Sequence, residues 1–534
     1  MGDLAEAQGW TGVCELDDIP DGRGLPVTVK GTEVARMRDG DAVFGVGNLC
    51  PHRGGQIGDG TVEDGRAICP LHSWDFDLRT GISPFNPEDR IPTYEVRVRG
   101  DRVEVNADSV PRGPGRPHVY LGQWTRRGAT DRGMYTVHHL SDGLGPFVEA
   151  MGSERIEPAN DKGRRYPSLD DIVFLPAQVH RAPLLDDETV DTAVRLGTRA
   201  GRPLRLDIPL VVSHMSFGAL SREAKMSLAA GARAAGTAIC SGEGGMHPDE
   251  RAAAGAYVLE MASGYFGWTE EAIAQADAIE IKMGQGAKPG LGGLLPGSKV
   301  TEEIAAVRGT AVGKDAHSPS RFPDIESVSE LAERIRWIRS VSPEVPVGVK
   351  YAAADVEADT AAALEAGADY LIVDGLGGGT GAAPVHVKDH VGIPSVFALY
   401  RARTWLDQHG VDDVQLVATG GFRDPVEMAK GLALGADAIA LATSALMSIG
   451  CQQYRACHVG SCPVGIATQQ ERLRARLDPE AAAPRLATFL TAATDVIVDF
   501  CRLTGRRSVG DLSHADLATL RPELAERTTL PYVL

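Results

Sequence analysis

VQLVATGGFRDPVEMAKGLALGADAIALA, residues 414–442, sets the architecture of most of the chain. VQLVAT is a continuous apolar run closed by Gly420 and Gly421, the pattern of a strand buried on both faces. Pro425 then opens a helix, because proline suits the first helical position. Gly435 stops that helix, and AIALA is the next strand. The alternation recurs upstream in IPLVVSH (208–214) with SREAKMSLAAGARAAG (221–236), in VPVGVKY (345–351) with DTAAALEAGA (359–368), and in YLIVDG (370–375). Repeated strand, helix, strand units with apolar strands predict a parallel sheet covered by helices. The length accommodates an α/β (β/α)8 TIM barrel over residues 161–470. A helical C-terminal segment, 471–534, follows and includes AAPRLATFLTAATDVIVDFCRLTG (482–505).

The opening stretch also offers an anion site. A glycine turn running into a helix start presents backbone N–H groups, and the last strands of a barrel commonly hold phosphate in this way. Alternatively, Gly420 and Gly421 only permit a tight turn. GLALGADAIALATSALMSIG (431–450) holds one charge, Asp437, and is long enough to be taken for a membrane span. Its Gly and Ser instead divide it into helix end, strand and loop.

The first hundred residues follow another rule. VTVKG (27–31), VARMRDG (34–40), DAVFGVGN (41–48), YEVRVRG (94–100) and RVEVNA (102–107) are short strands separated by DG and GD turns. They predict a multidomain chain with a small all-β domain over 1–107. Residues 108–160 are a linker and connecting segment, opened by SVPRGPGRP (109–117), whose Pro and Gly sustain neither helix nor ladder.

Composition excludes several functions. With 5% aromatics and 62 glycines the chain suits a close-packed α/β protein. A formal charge of −18 without a basic block gives no footprint for nucleic acid. MGDLAEAQGW lacks the basic and apolar regions of a secretory signal, so a cytoplasmic protein with no membrane partner is expected. The eight cysteines fall into a pair, a cluster of three, and the singletons Cys14, Cys240 and Cys501. That distribution suits metal binding better than a disulfide framework.

The pair belongs to Cys50-Pro-His52 and, sixteen residues on, Cys69-Pro-Leu-His72. A Rieske [2Fe-2S] cluster needs two thiolates on one iron and two imidazoles on the other, and each short loop supplies one of each. A structural Cys2His2 zinc site is the alternative. The segment CPHRGGQIGDGTVEDGRAICPLHSWDFDLRTG (50–81) resembles the Rieske ferredoxins of oxygenase systems. Neither ligand loop has the extra cysteine of high-potential respiratory Rieske proteins, so the resemblance implies a low-potential electron carrier. A Rieske oxygenase would need a downstream two-His-one-carboxylate iron site, for which the sequence offers no convincing set.

The cluster of three is Cys451-x5-Cys457-x4-Cys462-Pro463. Closely spaced thiols followed by proline, with no fourth cysteine in the motif, suit a [3Fe-4S] cluster; three buried structural cysteines are the alternative.

With that loop, the order of MSFGALSREA (215–224), SGEGG (241–245), IKMGQGAKPG (281–290), GGTGAAP (378–384) and ATGG (418–421) resembles the FMN-binding domain of glutamate synthase. It is similar to the compact archaeal-type large subunit, and the large subunit of N-methylglutamate synthase shares most of these motifs. The resemblance implies FMN held by Met215, Ser216, Gln285, Gly378, Gly379, Thr380, Gly381, Gly420, Gly421, Ala442 and Thr443. Lys350, ending VGVKY, matches the family lysine that compensates charge on the reduced flavin. Glu243 matches the acidic residue near the incoming ammonia or imine, where a carboxylate relays protons.

Lys282, Lys288 and Arg308 form a basic set able to hold the carboxylates of a 2-oxo diacid. The family loop KPGEGGQLPG reads KPGLGGLLPG here, placing Leu291 and Leu294 where a carboxylate and an amide stand, and SPPPHHDI becomes SPSRFPDI (318–325). An apolar or N-substituted substrate is thus an alternative to 2-oxoglutarate. No G-x-G-x-x-G follows a strand and no Walker loop occurs, which disfavours direct use of a nicotinamide.

The expectation is a flavin enzyme of reductive amination, in which electrons pass from the Rieske cluster through the [3Fe-4S] cluster to FMN and a 2-imino acid is reduced. Met1 leads into the Rieske fold where a glutaminase would begin with its catalytic cysteine. Ammonia or an amine is therefore expected free or from an amidotransferase or other amine-supplying partner, and electrons from a ferredoxin or ferredoxin reductase. A homo-oligomer is left open. Two alternatives remain: N-methylglutamate synthase-like transfer or amino-acid oxidation, and a non-catalytic redox subunit of a larger complex.

Overall fold

A computed structural model describes residues 9–51, 55–70, 74–83, 89–111, 134–141, 143, 166–381, 383–388, 390–451, 453, 457–460, 462 and 464–533. The chain divides into two compact units, Met1–Arg126 with Ala475–Leu477, and the remainder.

The first unit is all β among its described residues. Gly24–Val29, Thr32–Asp39, Ala42–Gly47 and Thr93–Tyr94 form one antiparallel sheet, and Trp10–Glu15, Arg102–Asn106 and Val96–Arg99 a second. A third, short sheet comprises Thr61–Glu63, Arg66–Ile68 and Asp75–Asp77. Ala35, Met37, Val46, Ile57 and Phe76 close a core around Cys50 and Cys69. The first and third of these sheets flank the two cysteine loops. Trp10–Glu15 escaped the sequence reading because WTGVCE lacks clean alternation.

The second unit is a closed barrel of eight parallel strands: β1 (Leu210–Val212), β2 (Ala238–Cys240), β3 (Ala256–Met261), β4 (Ala278–Lys282), β5 (Val347–Ala352), β6 (Tyr370–Asp374), β7 (Gln415–Thr419) and β8 (Ala438–Leu441). β8 pairs with β1 and closes the ring. Val211, Ala238, Val258, Ala278, Tyr370, Ile372, Val417 and Ala440 belong to one buried cluster, so continuous apolar strands are explained by burial on both faces. The opening stretch folds as read: β7, a helix Pro425–Ala433 capped by Asp424, then β8. Residues 431–450 hold a helix end and a strand as read, but the helix Thr443–Ser448 where a loop was expected. Among the described residues no helix is long and apolar enough to cross a membrane.

Beyond the barrel runs the helix Pro479–Thr504, started by Asp478 and Pro479 and stopped by Gly505 in the left-handed conformation. Its Leu486, Phe489, Leu490, Ala493 and Ile497 are buried at helical spacing. It packs on the helix Arg222–Ala234, where a Cβ on Gly231 would stand 2.8 Å from the Ala483 carbonyl. The C-terminal segment is not helical throughout. Leu517–Thr519 pairs antiparallel with Ile172–Phe174, a strand too short for its sequence to betray.

Candidate active site

Charged side chains gather where the barrel strands end, the face on which such barrels carry their chemistry. β3 supplies Glu260, β4 Glu280 and Lys282, β5 Lys350 and β6 Asp374. The segments after β1 and β2 add His214, Ser216 and Glu243.

These groups form one chain of contacts. Lys282 Nζ donates to Glu243 Oε2 at 2.9 Å and to Glu260 Oε1 at 3.0 Å. Glu260 Oε2 lies 3.8 Å from His214 Nε2, which is hydrogen-bonded to Glu280 Oε2. Lys350 Nζ lies 2.9 Å from His214 Nδ1 and 3.4 Å from Asp374 Oδ2. Tyr370 donates its hydroxyl to Glu280 Oε1 at 3.1 Å.

Burial sets the electrostatics. It would raise the Glu260 carboxyl, but Lys282 foremost, with His214 and Lys350 behind it, draws the value down to about 2. Burial also opposes the Lys282 ammonium, yet Glu260 and Glu243 outweigh it and hold that proton more tightly than usual. Glu243 likewise ends below its ordinary value, burial being overcome chiefly by Lys282. At neutral pH this is an ionised, internally compensated network, as buried charges require.

Lys288 and Arg308 join the same neighbourhood. Lys288 donates to the Gly292 carbonyl at 2.9 Å, shaping its own loop. Arg308 ends the helix Glu302–Arg308 and donates to the Phe217 carbonyl at 2.8 Å and to Ser216 Oγ at 3.2 Å. Burial lowers the pKa of both, and the charge of Glu243 partly offsets it. The four predicted catalytic residues are thus brought together around Glu243. Leu291 and Leu294 are exposed on the loop that follows Lys288.

Beside this set lies a cleft walled largely by glycine and small polar residues. The predicted Gln285, Lys350, Gly378, Gly379, Thr380, Gly420, Gly421, Ala442 and Thr443 all line it, as do His214, Asp374 and Thr419. Gly420 and Gly421 have φ of +118° and +103°, and added Cβ atoms would come within 2.5 Å of the Gly375 and Gly377 carbonyls. Only glycine fits there. The other three predicted cofactor residues have different contacts. The Met215 carbonyl accepts from Lys225, Ser216 meets Arg308, and a Cβ on Gly381 would lie 3.4 Å from that of Cys457.

Lys225 is a residue the sequence did not announce. Buried in the helix Arg222–Ala234, it also donates to the Ser241 carbonyl at 3.1 Å and pairs with Glu250 at 2.8 Å. It thereby ties the segments after β1 and β2 that carry Ser216 and Glu243. His214, Glu260, Glu280 and Asp374 were missed as well. Acidic residues inside the apolar runs AYVLEM and AIEIK were the available signal, since an unpaired charge is not buried in a strand.

His214, Cys240 and Glu280 place one ligand atom each within 4.8 Å of one another. The imidazole already spans Lys350 and Glu280, and burial pushes the Cys240 thiol well above its ordinary value. A hydrogen-bonded set describes them better than a metal site. A second cleft, at the other end of the barrel, is lined by Arg199, Arg339 and Asp369. Arg199 pairs with Asp413 and Arg339 with Asp369 at 2.8 Å, which leaves little charge for a ligand.

The residues expected from the sequence to bind iron divide between the units. Cys50 and Cys69 are buried, and their N–H groups donate to the Gly55 and Trp74 carbonyls at 2.8 and 2.7 Å, closing both loops. His52 and His72 lie outside the described residues. In the second unit, burial pushes up the Cys451 thiol, and Cys462 and Cys457 raise it further. Lys299 Nζ donates to the Cys457 carbonyl at 2.8 Å.

Residues 163–507 match the model of the conserved region in glutamate synthase. The chain belongs to the glutamate synthase family. Residues 9–106 match the model of a Rieske-like [2Fe-2S] domain, so this family member carries one at its N-terminal side. An archaeal-type glutamate synthase [NADPH] of Thermotoga maritima is 44% identical over 57% of this chain and 61% of that protein. A glutamate synthase large subunit-like protein of Rhizobium meliloti is 39% identical over 72% of this chain and 91% of that protein. The chain spans about three fifths of the length of the first of these relatives. A flavocytochrome b2 mutant with pyruvate bound aligns with 76% of this chain and 89% of that chain at 14% identity and a TM-score of 0.45, too distant to bear on function.

Proposed function

We propose that this glutamate synthase family member is an iron-sulfur flavoprotein oxidoreductase that reduces a 2-imino acid, formed from a 2-oxo acid and ammonia or an amine. The observation that carries the reading is the junction on one barrel face of the Glu243–Lys282–Glu260 set with a glycine-walled cleft containing Lys350.

The cleft fits FMN by its chemistry. Gly420, Gly421, Ala442 and Thr443 offer backbone and hydroxyl donors to a phosphate, and Lys350 offers a cation to the ring system. Bound there, FMN would supply hydride transfer to the imine carbon. The protein's own part is positioning. Lys282, Lys288 and Arg308 provide positive charge for the substrate carboxylates, and Glu243, held ionised, accepts or returns a proton at the nitrogen.

The spacing of Cys451, Cys457 and Cys462 along the chain suits a [3Fe-4S] cluster. Gly381, on the loop that lines the cleft through Gly378–Thr380, abuts Cys457 and supports a short route between that cluster and FMN. Electrons enter at the Rieske cluster from a ferredoxin or ferredoxin reductase, whereas the Thermotoga relative is named for NADPH. Cysteines spaced for metal ligation and not for disulfides support a reducing, cytoplasmic setting.

The exposed Leu291 and Leu294 favour a second reading, an amine other than ammonia or an apolar 2-oxo acid. Turnover assays that pair ammonia or methylamine with 2-oxoglutarate and with apolar 2-oxo acids decide between them. Absence of turnover with every pair, in protein loaded with iron and flavin, would remove the catalytic reading in favour of a redox subunit.

A further inference from the structure

His214 lies in the wall of the cleft and at the middle of the buried network, between Glu280 and Lys350. A lysine ammonium can only donate, so Nδ1 accepts from Lys350 at 2.9 Å and the ring proton sits on Nε2, facing Glu280. Ser213 Oγ approaches the same Nδ1 at 3.1 Å. Glu280 is fixed from the other side by the buried Tyr370 hydroxyl at 3.1 Å. The imidazole is thus locked in one tautomer and orientation by groups from β4, β5 and β6. Asp374, 3.4 Å from Lys350, is the competing partner of the ammonium.

We infer that His214 is a positioning residue that holds the Lys350 ammonium toward the cleft and, by its Nε2–H, neutralises the field of Glu280 there. The inference rests on the reading of the cleft as an FMN site. Uptake of two electrons and one proton leaves the flavin ring with one added negative charge. A cation beside the ring therefore favours reduction, and an uncompensated carboxylate opposes it.

Opposite shifts follow for two substitutions. His214→Ala lets Asp374 draw Lys350 away and leaves Glu280 without its imidazole donor, so the flavin potential falls. Glu280→Gln removes a buried negative charge while leaving an oxygen for His214 to donate to, so the potential rises. His214→Gln, whose amide can accept from Lys350 and donate to Glu280, restores a value near that of the unaltered protein.

The test is a dye-equilibrated reductive titration of the full chain loaded with iron and FMN, for the unaltered protein and the three variants, with flavin content and far-ultraviolet circular dichroism recorded for each. A fall for His214→Ala, a rise for Glu280→Gln and recovery in His214→Gln support the inference. Flavin-loaded, folded variants whose potentials coincide, or all move in one direction, overturn it. Failure of the unaltered protein to retain FMN would overturn the cleft assignment itself, and the inference with it.

Discussion

Lys299 Nζ donates a 2.8 Å hydrogen bond to the backbone carbonyl of Cys457. The side chain is buried, and Gly460 makes room for it, since a Cβ there would come within 2.5 Å of Lys299 Cε. Its charge stands beside the loop proposed to hold an anionic [3Fe-4S] cluster. Lys299→Met is expected to retain iron but to lower the potential of the [3Fe-4S] centre, measured by redox titration followed by electron paramagnetic resonance. An unchanged midpoint would remove Lys299 from the account.

The Glu243–Lys282–Glu260 set predicts unequal losses. Lys282→Met leaves the buried Glu260 carboxylate unpaired beside the half-buried Glu243 and should cost about 3–5 kcal/mol of stability in denaturant unfolding. Glu243→Gln keeps Lys282 paired with Glu260. It should leave stability and flavin content nearly unaltered while turnover drops by about 10²–10⁴. Equal turnover by Glu243→Gln and the unaltered protein would show that the carboxylate carries no proton.

Gly421→Ala tests the cleft wall. With φ at +103° and the Gly377 carbonyl 2.5 Å from the added Cβ, the substitution should cost about 1–3 kcal/mol and reduce FMN bound per chain. Flavin stoichiometry after gel filtration is the measurement. Full retention would place the phosphate elsewhere.

Glu250 gives the chain a pH dependence of known sign. Burial raises its carboxyl from 4.5 to about 7, with Lys225 only partly offsetting it. Between those values the folded chain keeps a proton that the unfolded chain has released. The contribution to stability is therefore greatest below 4.5, declines as pH rises to about 7, and is flat above. Glu250→Gln should abolish that decline, as read from unfolding midpoints at the two ends of the window. A decline of the same size in the variant would assign it to another group.

Much of this was legible in the chain before folding was considered. Continuous apolar strands such as YLIVD and VQLVAT, closed by glycine, have one stable use in a parallel sheet, and Gly420 and Gly421 announced a backbone that no other residue could adopt. What stayed hidden was pairing at a distance. Glu260 and Lys282 lie on neighbouring strands, and His214 meets Lys350 across 136 residues of sequence. An acidic residue inside an apolar run marks a buried charge, but nothing local names its partner. The basic triad was read as free cations awaiting substrate, whereas Lys282 already holds two carboxylates and Arg308 a carbonyl and a hydroxyl. The strands AIC and LAT were too short for periodicity to separate them from loop.

The most direct test of the central claim is anaerobic reduction of the Rieske centre in the iron- and FMN-loaded chain, with the flavin absorbance followed in time, beside a Cys69→Ser variant. The account predicts that flavin bleaching follows Rieske reduction in the unaltered protein and is lost in the variant while its FMN content is retained. A flavin that stays oxidised after the Rieske centre is reduced, or that bleaches equally in Cys69→Ser, would contradict it.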